Sequence, residues 1–493
     1  MFATAKVHSK PDLVVANFCS LSGAYDFCNI TGTGANGVVG VLLANGDGTF
    51  QTAASFDSGG LGATSVAVSD VNGDGKPDLV VNLFSSTVGV LLGNGDGSFQ
   101  TAITYNSGGV NPGSVAVADV NNDGKPDLLV TNSCNANVCS GGAVGVLLGN
   151  GDGTFQSAVA YVGLNAASVA VADVNGDGKP DLLVGSGFFT VEVLLGNGDG
   201  TFQSVVSYNS GGFGAVSVAV ADVNGDGKLD LVVANCAPDP SRGCGGTSAN
   251  GVVGVLLGNG NGTFQSVITY DSGGKDDTSV AAADVDGDGK PDLLVAHGCD
   301  ASGNCGSTVS VLLGKGDGTF QPAVAYNSGG VGGGASSVAV EDVNQDGRPD
   351  LLIANGCNTT TCAGSVGVLL NNSQPPDTTP PVITLSATPT ILWPPNGRLV
   401  PVTLSGTITD TGSGVNASTA EYAVQDEYGE VQPFGKIALD AAGNYSFTIL
   451  LRAGRRGNDL NGRQYTIRVS AKDNAGNRGV RWTQVTVPHD QSR

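Results

Sequence analysis

Ser65–Val81 reads SVAVSDVNGDGKPDLVV, and this stretch decides the fold. An apolar run of small and β-branched residues enters a tight loop of Asp, Asn and Gly and leaves as a second apolar run. Two short strands joined by a polar turn fit such a pattern. The phrase D-V-N-G-D-G-K-P-D-L recurs with small variations, beginning at Asp70, Asp119, Asp173, Asp222, Asp284 and Asp342, at spacings of 49, 54, 49, 62 and 58 residues. A second phrase, V-L-L-G-N-G-D-G-T-F-Q, runs through the same region with its Phe at Phe50, Phe99, Phe155, Phe202, Phe264 and Phe320. Self-similarity at a period of about 50 residues marks a repeat architecture.

Each unit resolves into four strands. In the unit around Asp119 these are expected at Ser114–Val120, Asp127–Thr131, Ala143–Leu148 and Gln156–Tyr161. The first is apolar at nearly every position, which predicts burial on both faces. Four-stranded sheets with two buried faces stack radially as propeller blades, whereas the coils of an open solenoid are shorter. The fragments at the ends give the blade count. K-P-D-L occurs at Lys10–Leu13 without its preceding loop, and the third-strand phrase occurs a last time at Val366–Leu370 without its turn. Seven blades are therefore expected, with six or eight as the alternatives. Phe2–Val7 is expected to supply a missing strand and to close the ring by pairing chain start to chain end.

Beyond Leu370 the pattern changes. Asn371–Pro381 reads NNSQPPDTTPP, a semi-rigid polar segment. Alternating strands follow at Val400–Thr409, Tyr445–Leu451, Tyr465–Ala471 and Arg481–Val487, between Gly/Asn turns. The expected organisation is a propeller over residues 1–371, a Pro-rich linker over 372–381 and a β-sandwich over 382–493.

The chain of 493 residues carries a net charge of -22, unevenly spread. Residues 382–493 hold 11 basic and 9 acidic groups, so the first 381 carry a net -24. Such a surface repels nucleic acid and anionic membranes and draws cations. No stretch of 18 or more uninterrupted apolar residues exists, so no membrane insertion is expected. The ten cysteines fall into five close pairs: Cys19/Cys28, Cys134/Cys139, Cys236/Cys244, Cys299/Cys305 and Cys357/Cys362. Local pairs in polar loops point to disulfides and an oxidising compartment. The rival is zinc, which favours closer thiolate spacings and more histidine than the three present, His8, His297 and His489. Met1–Lys10 has no apolar core and no cleavage site, so export requires a start upstream of this chain.

The polar loops are the candidate metal sites. In D-x-N-x-D-G-x-x-D the side-chain oxygens fall at positions 1, 3, 5 and 9, Gly at 6 permits the turn, and position 7 offers a carbonyl. The expected ligands are Asp70, Asn72, Asp74 and Asp78 with the carbonyl of Lys76; Asp119, Asn121, Asp123 and Asp127 with Lys125; and Asp173, Asn175, Asp177 and Asp181 with Lys179. The remaining sets are Asp222, Asn224, Asp226 and Asp230 with Lys228; Asp284, Asp286, Asp288 and Asp292 with Lys290; and Asp342, Asn344, Asp346 and Asp350 with Arg348. The Lys side chains are expected to point to solvent. An EF-hand needs a Glu at position 12 and flanking helices, and here the loop opens into a strand. A polar turn without metal is the alternative. Six such loops would repel without counter-ions, and six structural Ca²⁺ would halve the -24.

These residues resemble the FG-GAP/VCBS repeat family, whose members include integrin α-subunit propellers and some fungal lectins. The resemblance covers residues 1–371 and implies a seven-bladed, calcium-binding propeller with roles in adhesion or glycan binding. The first copy retains only Asp12, which puts a seventh site in doubt. LWPPNG at Leu392–Gly397 and DNAGN at Asp473–Asn477 resemble bacterial extracellular immunoglobulin-like domains. The fold class is accordingly all-β: a seven-bladed β-propeller followed by an immunoglobulin-like β-sandwich.

In a four-stranded meander, metal loops and N-G-D-G turns share one face, and second-to-third-strand loops share the other with the crossovers. All five cysteine pairs fall in those second loops, which makes them tied recognition elements on a rigid scaffold. Candidate contacts are Phe18, Tyr25, Phe27, Phe84, Phe188, Phe189 and His297, while Tyr105, Tyr161, Tyr208, Tyr270 and Tyr326 are expected in the strand-four core. The first functional reading is a monomeric, secreted or cell-surface module that binds an extracellular glycan or protein and does not catalyse. No Ser/His/Asp set or activated Cys is visible. The alternatives are a polysaccharide-active enzyme and a purely structural surface module.

Overall fold

In the computed structural model the described residues are 2–6, 10–17, 36–84, 86–134, 141–237, 250–304, 306–330, 334–356, 365–372, 377 and 379–489. Among them there are strands and no helices, so no helix is long and apolar enough to cross a membrane. The chain divides into two compact units, Met1–Ser373 and Gln374–Arg493.

Among the described residues the first unit holds seven antiparallel sheets in meander order, six of four strands and the last of three. Their inner strands are Phe2–Ala5, Ala63–Ser69, Val110–Ala118, Ala166–Ala172, Phe213–Ala221, Gly274–Ala283 and Ala335–Glu341. Each packs on the next, and the seventh packs on the first, so the blades close a ring. Phe2–Ala5 does supply a missing first strand, by pairing with Asp12–Asn17 of its own blade. Among the described residues the two ends of the propeller do not pair with one another. The ring shuts by face-to-face packing, aided by a bond from Gly48 N–H in blade 1 to Val343 O in blade 7.

Burial is distributed differently from the expectation. The second strand, Asp78–Leu83 in blade 2, is buried at all six positions, whereas the first, Ala63–Ser69, is only half-buried over its last three residues. The innermost strand has a sheet neighbour on one edge only; the second has neighbours on both edges and blades on both faces. The outer strand of blade 3 is Val159–Val162 rather than Gln156–Tyr161, because Phe155 first turns inward to bridge Gly149. Third strands carry Gly where the preceding crossover presses in. A Cβ on Gly89, Gly145, Gly254 or Gly367 would sit 1.9–2.2 Å from the carbonyl of Ser58, Ser107, Ser210 or Ser328 respectively.

The second unit is a sandwich of two four-stranded sheets. One core joins Val402, Leu404, Ile449 and Leu451 of one sheet to Val424, Ile467 and Val485 of the other. At one edge of that core Arg463 donates Nε and Nη2 to the carboxylate of Asp426 at 2.9 and 2.5 Å, both side chains being fully buried. Burial would raise the Asp426 pKa, but Arg463 and the N–H groups of Val431, Tyr428 and Glu430 hold it down at about 2.

Gly145→Ala is expected to destabilise the propeller by about 2–3 kcal/mol, since a backbone carbonyl has to move, and calorimetry reads the loss. The Asp426 carboxylate, depressed in the folded state, contributes about 2–3 kcal/mol above pH 4 that fades as pH falls from about 4 to about 2. Tryptophan fluorescence follows that transition in the sandwich, because Trp393 and Trp482 are the chain's two Trp residues and both lie there.

Candidate metal centres and the opposite loop face

The loop between first and second strands folds on its own side chains. Asp70 Oδ1 accepts from Gly73 and Asp74 N–H, and its Oδ2 from Gly75 N–H at 2.7 Å. Asn72 Oδ1 accepts from Asp74 N–H, and Asp74 Oδ1 from Lys76 N–H, both at 2.9 Å. The ninth residue does something different. Asp78 is fully buried, and its two oxygens accept Val71 N–H (2.9 Å) and Gly93 N–H (2.7 Å). It therefore ties the aspartate-rich loop to the turn between third and fourth strands, and both sit at the same end of the blade.

The same bonds recur at Asp127, Asp181, Asp230 and Asp292. Blade 7 substitutes Asn371 N–H for the glycine donor to Asp350. Asp12 keeps the bond to Ala44 N–H in blade 1, which lacks the loop. Burial pushes the carboxyl pKa up at each of the six from Asp78 to Asp350, partly offset by the backbone donors. Neighbouring carboxylates of the loop add to the rise, as Asp74 and Asp70 do for Asp78.

The donors suit a hard cation. In blade 6 the carboxylate oxygens of Asp284, Asp286 and Asp292 all lie within 4.8 Å of one another. In the other five loops the amide oxygen of Asn takes the place of Asp286. The Lys side chains are solvent-exposed, as expected, and also reach the loop. Lys76, Lys125, Lys179, Lys228 and Lys290 fold back onto the position-5 carboxylates, with Nζ to Oδ2 distances of 3.4, 3.7, 3.8, 3.3 and 2.6 Å. Crowding of like charge in so short a loop draws in the nearest cation.

The wedge Phe residues behave as core. Phe155, Phe202, Phe264 and Phe320 are buried, and each takes the outer-strand Tyr of the preceding blade edge-on. Tyr105, Tyr161, Tyr208 and Tyr270 are thereby half-buried, but Tyr326, placed in the core by the sequence pattern, is 47% exposed.

At the opposite end, Phe84, Phe188 and Phe189 are exposed in loops after the second strand, as expected. Phe188 and Phe189 stack edge-on around Phe213 of the next blade, with centroids 6.3 and 5.2 Å away. Cys134, Cys236 and Cys299 are buried where their second strands end. Cys19, Cys28, Cys139, Cys244, Cys305, Cys357 and Cys362 lie outside the described residues, as do Phe18, Tyr25, Phe27 and His8.

His297 is not a surface contact. It is completely buried, with Nδ1 2.8 Å from Asp277 Oδ1 and Nε2 2.8 Å from Ser310 Oγ. A Ser–His–Asp chain thus exists where sequence inspection finds none, and Ser272 Oγ also donates to Asp277. Burial raises the Asp277 pKa despite these donors. All three members are at most 1% exposed, and Gly251 and Gly274 pack directly on Asp277 and His297. The signal lies in comparing copies: His297 stands where sister blades have Asn132, Asn235 and Asn355, and Ser310 where they have Gly145, Gly254 and Gly367.

Ring closure and one aspartate-rich loop in each of six blades define a repeat-built β-propeller. The FG-GAP-like repeat family matches residues 9–81, 70–130, 136–184, 185–233, 244–295 and 301–353, and the FG-GAP repeat matches 214–255. The chain belongs to the FG-GAP-like repeat family. No curated protein matches it. Among solved structures, a crystal structure of BBS1N in complex with ARL6DN, soaked with lead, is similar at 13% identity and a TM-score of 0.46, over 76% of this chain and 93% of that one.

His297→Ala is expected to lower stability by about 2–4 kcal/mol by leaving Asp277 buried without its partner. A serine-directed fluorophosphonate should leave Ser310 unlabelled in the native protein, as read by mass spectrometry, because the hydroxyl is fully buried; labelling at Ser310 would show that reagent reaches an activated serine there.

Proposed function

We propose that the chain is a calcium-stabilised extracellular binding module, secreted or cell-surface, that presents its second-strand loops to a glycan or protein ligand. The observation that carries this reading is the division of the two ends of the blades. Aspartate-rich loops and N-G-D-G turns are stapled together at one end by Asp78 and its counterparts. The exposed aromatics Phe84, Phe188 and Phe189 stand at the other. Aromatic side chains on a rigid scaffold suit sugar faces and protein hot spots alike.

Calcium at the six loops would be held by the side chains at positions 1, 3, 5 and 9 and the carbonyl at 7, and supplies charge that offsets the carboxylate crowding. The exposed Lys contacts to the position-5 carboxylates support this reading. The cysteine pairs, closed as disulfides, would tether the loop bases at about 2–3 kcal/mol or less each, since they span few residues. Catalysis is disfavoured: among the described residues the one Ser–His–Asp chain is buried and His297 is committed within it.

At millimolar calcium and a Kd of about 10⁻⁴ M, each occupied loop contributes about 1.4 kcal/mol. Excess EDTA should therefore lower the propeller melting temperature by roughly 10 °C or more, and calcium should restore it. An unchanged melt removes the metal assignment. Glycan and protein arrays probed with and without calcium test the ligand class. Phe188→Ala with Phe189→Ala should weaken the hit at least tenfold without changing the melt; binding that survives this double substitution moves the site off this face.

A further inference from the structure

The outer face of one sandwich sheet carries an exposed aromatic at each edge. The strands run Phe434–Lys436, Val415–Asp426, Arg463–Asp473 and Arg478–Val487 in spatial order. Val424, Ile467, Val469 and Val485 are buried in the core, so the alternate residues of these strands point outward. One row crosses all four strands: Phe434 stands opposite Ala423, Ala423 opposite Arg468, and Arg468 opposite Trp482. Phe434 is 82% exposed and Trp482 55%. Three strand spacings of about 4.8 Å separate the two aromatic positions by roughly 14 Å. Ala423 keeps the surface between them low, and Arg468 lies over the indole with its Cζ 5.9 Å from the ring centroid.

The rows on either side are polar. Gln425, Thr466 and Gln484 stand opposite one another on one side, and Lys436, Glu421 and Ser470 on the other. Lys472 and Arg478 pair one row further out. The face thus carries Lys436, Arg468, Lys472 and Arg478 against a single acid, Glu421, the reverse of the acidic propeller. Glu421 lies 3.0 Å from Arg478, 3.7 Å from Arg468 and 3.9 Å from Lys436, so one carboxylate is shared among three cations. At 3.7 Å the Arg468 contact is an ion pair and not a hydrogen bond, which leaves donors of its guanidinium fork to a ligand.

This layout selects among occupants. A protein-binding patch has an apolar centre and a polar rim. Here the aromatics stand at the edges and the centre holds guanidinium, amide and hydroxyl groups. That order suits a chain of sugars, whose apolar ring faces stack on the aromatics while their hydroxyls meet Gln425, Thr466 and Gln484. Excess positive charge with an Arg fork at the middle favours sugars that carry carboxylates. We infer that this face binds an extended acidic polysaccharide, a uronate chain laid across the strands, with rings stacked on Phe434 and Trp482 and a carboxylate on Arg468. The site is independent of the propeller loops.

Hexagalacturonate titrated into the full chain should show saturable one-to-one binding by calorimetry. Raising NaCl to about 0.5 M should weaken it at least fivefold, because exposed charges are screened. The fully methyl-esterified hexamer, with the same rings and no charge, should bind at least tenfold more weakly. Phe434→Ala and Trp482→Ala should each weaken binding about tenfold, and Arg468→Gln should erase the preference for the free acid. Phe434 is the more exposed of the two, so its variant reads ligand contact even where the Trp482 variant melts early. Phe188→Ala with Phe189→Ala should leave this binding intact, which separates the face from the propeller site. No binding at millimolar hexamer, or binding indifferent to Phe434→Ala and Arg468→Gln, overturns the inference. A dimer of the ligand-free chain in sedimentation, dissolved by Phe434→Ala, would assign the face to a second copy instead.

Discussion

One buried carboxylate per blade organises the propeller. Asp12, Asp78, Asp127, Asp181, Asp230, Asp292 and Asp350 are all fully buried, and six of them accept one N–H from the polar loop and another from the start of the following turn. Those donors would otherwise be orphaned inside the protein, at about 1–3 kcal/mol each. The loop and the turn are therefore a single element, and the remaining loop carboxylates are arranged around a group that burial disfavours as an anion. Blade 1 separates the two roles. It keeps Asp12 and its bond to Ala44 without the loop, so the staple belongs to the fold and the oxygen cage is an addition to it.

Much of this was legible in the sequence because repetition amplifies weak local signals. A single Asp-rich loop is an ordinary turn, but six in register with a Phe at a constant place after the third strand determine sheet, blade and count. What escaped depends on contacts between strands that no local window contains. His297 meets Asp277 from the neighbouring first strand and Ser310 from the third, 20 residues before it and 13 after. Lys76 looks like a solvated loop residue until the turn geometry brings it back to Asp74. Ring closure was misread for a related reason. A missing strand suggested exchange between chain ends, whereas among the described residues the ring closes by packing of the inner strands and the Gly48–Val343 bond.

The repeats diverge where the crossover leaves room. Gly89, Gly145, Gly254 and Gly367 each lie under a crossover serine carbonyl, and no side chain fits there. Blade 4 follows a crossover, Gly163–Asn165, that lacks this serine. Its third strand carries Glu192, held by Thr190 and Ser207. Blade 6 carries Ser310 at the same place, bonded to His297. Polar side chains thus entered the blade interior only with partners at hand, as their desolvation requires. In the Ser–His–Asp chain His297 and Ser310 thus occupy positions that hold Asn and Gly in sister blades, and each is hydrogen-bonded within the chain.

Closure of the centre and completion of the rim are separate problems in this ring. Leu370 lies against Gly48, as Leu43, Leu92, Leu148, Leu195 and Leu257 lie against Gly97, Gly153, Gly200, Gly262 and Gly318. The seventh blade therefore meets the first through the same third-strand contact as five other consecutive pairs, and its inner strand packs as the others do. The edge-on pairing of outer-strand rings with wedges lies further out and depends on the fourth strand. Because each interface takes its ring from one blade and its wedge from the next, the three-stranded sheet of blade 7 leaves two interfaces incomplete among the described residues: Tyr326 at one, Phe50 at the other. Among the described residues the inner contacts close the ring without them.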